Sequence, residues 1–128
     1  MNDETKLIFD QLNNALKKLE EVVILPLGPQ KFEIDLTIHR FEFTIELFWK
    51  ALKKKLVDEY GINVTGPKPV LQKAYLVQLI SDEVAWLSML DDRNMTSHTY
   101  KEALALEIYG NIKKHTPFLR KSFNDLQK

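Results

Sequence analysis

Arg93, Asn94, His98 and Tyr100 lie together in the stretch Leu90 to Glu102, and their types suit one kind of chemistry. A histidine titrates near neutrality and can take the proton from a ribose 2′-hydroxyl. An arginine stays charged and presents a planar fork to phosphate oxygens as charge builds on them. Such a pair suits cleavage of a phosphodiester without a metal. Asn94 would support the sugar or phosphate, or simply terminate its helix. Tyr100 brings a hydroxyl close to the same place.

Whether these side chains meet depends on the elements that carry them. On an unbroken helix Arg93 and His98 would be five steps of about 100° apart, on faces diverging by roughly 140°. Thr99 with Glu102 reads as a capping box that starts a new helix near Tyr100. A turn between Asn94 and Ser97 would let both side chains enter one cleft. His98 would then lie just before a helix N-terminus, where free N–H groups favour a phosphate. Taken alone, the pair reads more simply as a salt bridge plus a capping imidazole, with Asp91 and Asp92 at hand for Arg93.

The rest of the chain reads as helices. Ile8, Leu12, Ala15, Leu19 and Val22 form one stripe on a first helix from Asp3, its cap, to about Leu25; Pro26, Gly28 and Pro29 end it. A second helix spans Glu33 to Tyr60 with Gly61 as C-cap and a stripe of Ile34, Ile38, Phe41, Ile45, Phe48, Leu52 and Leu56. Leu36, Phe43, Leu47 and Ala51 widen its apolar face, which fits a central position in a bundle or contact with a second subunit. A third, short helix spans Val70 to Ile80. A fourth, capped by Ser81 or Asp82, carries Val84, Trp86, Leu87 and Leu90 to about Asn94. The last carries Ile108, Ile112, Leu119, Phe123 and Leu126, and Pro117 should kink or break it. No stretch alternates with period two. The fold predicted is all-α: an antiparallel up-and-down four-helix bundle with an extra short helix, a single domain over residues 1–128, dimeric.

Composition narrows the function. Eighteen basic and 18 acidic residues give a formal net charge of zero, so any RNA or nucleotide site must rest on a local cluster. Without cysteine there are no disulfides, thiolate metal sites or cysteine nucleophiles. His39, His98 and His115 are too far apart in sequence for a spaced metal motif, and neither metal nor cofactor is expected. The start lacks a secretory leader pattern and no run could span a bilayer, so a cytoplasmic location is expected. His39 and Arg40 read as a polar helix edge, His115 as a solvated helix end, Lys53 to Lys55 as an exposed charge run, and Trp49 and Trp86 as core.

Three blocks carry a family resemblance: Arg40 to Lys50, Gly66 to Val70, and Trp86 to Tyr100 with its Arg-Asn-x3-His-x-Tyr pattern. Together they make the chain similar to the HEPN superfamily, in the branch of nucleotidyltransferase substrate-binding proteins, over essentially its full length. The resemblance implies a homodimer with Arg93 and His98 at a cleft near the interface. It also implies a cognate minimal nucleotidyltransferase as partner. Similar proteins act as metal-independent ribonuclease toxins, restrained in some systems by nucleotide addition to the motif tyrosine, here Tyr100. The alternative is a non-catalytic subunit or scaffold that binds substrate or nucleotide. The transferase itself is not expected here: no Gly-Ser turn occurs, and Asp91 and Asp92 diverge as helix neighbours.

Overall fold

The computed structural model describes residues 2–29 and 31–128, and among these every regular element is helical. The elements are α1 (Asp3–Val23), α2 (Phe32–Tyr60), α3 (Pro67–Leu76), α4 (Glu83–Met95) and α5 (Glu102–Leu126), with a 3₁₀ turn at Thr96–His98. α1, α2, α4 and α5 form the antiparallel bundle, and α3 is the extra short helix. None of the helices is long and apolar enough to cross a membrane.

Periodicity places the core correctly on three helices. All five stripe residues of α1, all seven of α2 and all five of α5 are buried. The N-cap of α1 is Asn2, one residue before the one expected: its Oδ1 accepts from the Thr5 N–H at 2.9 Å. Asp3 instead joins the first turn, where a carboxylate complements the helix dipole. At the end of α2, Gly61 takes the left-handed conformation, φ 64°, and closes the helix as expected.

The wider face of α2 divides. Ala51 is buried, Leu47 half-buried, and Leu36 and Phe43 are 40% and 58% exposed. This face is therefore surface within one subunit and does not extend the core.

α3 begins earlier and ends earlier than the sequence suggests. Pro67 opens it, because proline presets φ and its missing N–H is not needed in a first turn. The chain leaves the helix after Leu76 and bends through Gln78, whose φ is 66°. Asp82 caps α4, its Oδ1 accepting from the Ala85 N–H at 3.1 Å.

α4 buries Trp86, Met89 and Leu90, while Val84, expected on its apolar face, is 79% exposed and Leu87 is half-buried. Trp86 lies edge-on to Phe48 of α2, centroids 4.7 Å apart, and to Phe118 of α5 at 5.9 Å. This aromatic wedge fixes α4 between its neighbours. Pro117 does not break α5, which runs through it. Burial of Leu119, Phe123 and Leu126 beyond the proline outweighs the ~3 kcal/mol that a proline costs a helix interior. Lys55 is buried as well, contrary to an exposed charge run. Its Nζ donates to the Leu126 carbonyl at 3.3 Å and pairs with Glu59 at 3.0 Å.

Candidate functional site

The break that carries His98 is built by hydroxyl side chains. Thr96 Oγ1 donates to the Arg93 carbonyl at 2.7 Å, Ser97 Oγ to the Asn94 carbonyl at 3.5 Å, and Thr99 Oγ1 to the Thr96 carbonyl at 2.9 Å. The last carbonyls of a helix lack backbone partners, and short hydroxyl side chains satisfy them by folding back. The 3₁₀ turn follows from that competition. The expected capping box is absent: Thr99 points back toward α4, and α5 starts at Glu102 with Lys101 as a cap that makes no side-chain bond. His98 therefore sits on the 3₁₀ turn ahead of the Lys101 cap, whose N–H donates to the His98 carbonyl at 3.2 Å.

Arg93 faces α2. Its Nη2 pairs with Glu46 Oε1 at 3.3 Å, not with Asp91 or Asp92, because α4's crossing over α2 puts Glu46 on Arg93's side. Trp49 Nε1 donates to the second oxygen of Glu46 at 3.3 Å, so the carboxylate is held from both ends. Trp49 is half-buried, packed against the core and not fully inside it. The Arg93 Nε is buried with no partner among the described residues, leaving a donor in reserve. Arg93, Glu46, His39, Glu42 and Phe43 line a hollow of about 180 Å³.

His98 and Tyr100 form a second group. Both are exposed, with rings 6.3 Å apart and inclined at 66°, and Tyr100 is 78% exposed. Asn94 is also exposed. Arg93 thus lies in the last turn of α4, turned to α2, and His98 on the 3₁₀ turn that follows, beside Tyr100. Among the described residues no group of three or more His, Asp and Glu side chains is placed to hold a metal ion.

Several residues of this region carry no clear signal in the sequence. Glu46 reads there as one more polar position on α2, and only the helix crossing shows that it meets Arg93. His39, read as a polar edge, borders the Arg93 hollow. His115, read as a solvated helix end, is only 17% exposed and pairs with Asp92. A larger hollow of about 540 Å³ lies between the α3–α4 connection and the end of α5, and contains none of the motif residues.

Known proteins share this fold. The chain matches the family model "Nucleotidyltransferase substrate binding protein like" over residues 7–128. A Haemophilus influenzae protein named "Probable ribonuclease HepT" is 31% identical over 121 residues, covering 84% of this chain and 83% of that one. A crystal structure of a Thermus thermophilus protein superposes with a TM-score of 0.84 at 35% identity, covering 91% of this chain and 99% of that one. The structure of HI0074 from Haemophilus influenzae, described as the fold of a substrate binding domain of a nucleotidyltransferase, superposes with a TM-score of 0.76 at 27% identity, covering 94% and 99%. With its helical bundle and a match spanning nearly all of its length, the chain belongs to the family of nucleotidyltransferase substrate binding protein like proteins.

Proposed function

We propose that this chain, acting as one HEPN-like domain over residues 1–128, is the partner subunit of a cognate minimal nucleotidyltransferase and carries a metal-independent ribonuclease site. Arg93 and His98 are its catalytic residues, Asn94 supports the sugar or phosphate, and Tyr100 is the modification site. The observation that carries the reading is the placement of Arg93 in the last turn of α4 and His98 on the short turn that follows it, with an exposed tyrosine beside the histidine. The name of the 31% identical relative points the same way.

In the reaction, a ribose 2′-oxygen bonds to phosphorus as His98 takes its proton, and the P–O5′ bond breaks. The leaving oxygen takes a proton from solvent, giving a 2′,3′-cyclic phosphate and a 5′-hydroxyl. Arg93 stabilises the charge on the phosphate oxygens. Addition of a nucleotide to the Tyr100 hydroxyl would set a bulky anion beside His98 and obstruct the site, a direct means of restraint by the transferase. Two copies would meet through the exposed α2 face of Leu36 and Phe43, which borders the Arg93 hollow.

A second reading is favoured by the Arg93–Glu46 pair: an arginine already engaged can serve nucleotide binding without cleavage. The test is incubation of the purified protein, freed of any partner, with total RNA in EDTA, beside His98→Ala and Arg93→Ala. Cleavage by the wild type that both substitutions abolish supports the ribonuclease. No cleavage by any of the three leaves the non-catalytic binding subunit.

A further inference from the structure

Beside Arg93, on the opposite flank of α4, lies a polar cluster that the proposed reaction does not use. His115 Nε2 of α5 sits 2.7 Å from Asp92 Oδ2 of α4, each side chain 17% exposed. Asn111 Nδ2, one turn earlier on α5, donates to the other Asp92 oxygen at 3.4 Å. The imidazole stacks on Phe41 of α2, with centroids 5.9 Å apart and planes 19° from parallel. Three helices meet at this one histidine.

Consecutive helical residues diverge by about 100°. Asp92 is accordingly tied to α5 while its neighbour Arg93 is tied to Glu46 on α2, so the end of α4 is gripped from two sides. The chain leaves that end through the 3₁₀ turn of His98 and enters α5. The position of Arg93 relative to His98 thus depends both on the hydroxyl-built turn and on how the end of α4 sits on α5. The aromatic contact between these helices, Trp86 with Phe118, lies toward the far end of α4, while near Arg93 the polar tie works beside the buried Leu90 and Thr96.

We propose that Asp92, His115 and Asn111 form a positioning clamp that holds the last turn of α4 on α5 and keeps Arg93 in place relative to His98. None of the three touches substrate. The inference rests on the ribonuclease reading for its kinetic consequence but not for its structural one.

The test compares wild type with His115→Leu, which removes the donor to Asp92, and His115→Gln, which retains one. Steady-state cleavage of a short RNA in EDTA is measured alongside the Arg93 Nε–H resonance, assigned through Arg93→Lys. The clamp predicts that His115→Leu lowers kcat by about tenfold to a hundredfold with KM unchanged. The Arg93 resonance moves in His115→Leu, and His115→Gln recovers both signals. Wild-type kcat in His115→Leu, or a loss that His115→Gln does not recover, overturns the clamp. If the wild type cleaves no RNA, the ribonuclease reading falls by itself. The resonance then decides: movement in His115→Leu with recovery in His115→Gln supports the clamp, and no movement overturns it.

Discussion

Arg93 joins a structural contact to the role in chemistry proposed for it. Its pair with Glu46 is partly solvated and spans 3.3 Å, a geometry that contributes little to stability after screening. Its planar fork, by contrast, suits a phosphate in a way that an ammonium does not. Arg93→Lys keeps the charge and should change folding free energy by less than about 1 kcal/mol in urea titration. The same substitution should lower RNA cleavage by about a hundredfold, the scale of losing one aimed donor to a developing anion. Equal activity of the lysine variant would show that only charge matters at this position.

Among the elements, the 3₁₀ turn matters most, since it separates α4 from α5 and carries His98. Its anchor is Thr96, only 4% exposed, whose hydroxyl donates to the Arg93 carbonyl at 2.7 Å. Thr96→Val preserves shape and removes the donor. The Thr96 N–H still reaches the same carbonyl, so the expected cost is about 1 kcal/mol, the low end for a weakened buried hydrogen bond. Thermal unfolding would register it, and hydrogen exchange should quicken in the turn before it does in α2. The run of hydroxyl residues after Met95 is a legible signal for this turn. The side that Thr99 serves is not legible, because its hydroxyl can reach either the helix behind or the helix ahead.

At the scale of the molecule, the exposed apolar residues of α2 are the feature the monomer leaves unexplained. Phe43 borders three hollows, one shared with Arg93 and two with Lys18 of α1. In the proposed homodimer this face meets its own copy. Phe43→Glu should then halve the mass seen in sedimentation. Helix content and unfolding free energy of the subunit should stay within about 0.5 kcal/mol, as for other exposed substitutions. A wild type that sediments as a monomer would overturn the dimer.

The long helices, the buried stripes of α1, α2 and α5 and the position of the motif were written in the sequence, because an apolar period of three and four is a local property. The seven-residue stripe of α2 and the Gly61 terminus needed nothing beyond their own neighbours in the chain. Only the tertiary structure decided which partner each polar side chain takes. Glu46 for Arg93, Asp92 for His115 and the Leu126 carbonyl for Lys55 all arise where one helix crosses or ends against another. The passage of α5 through Pro117 is also a tertiary outcome, since burial beyond the proline outweighs a local penalty. Periodicity tells which face turns inward; the angle and offset between helices, which depend on the whole core, decide what that face meets.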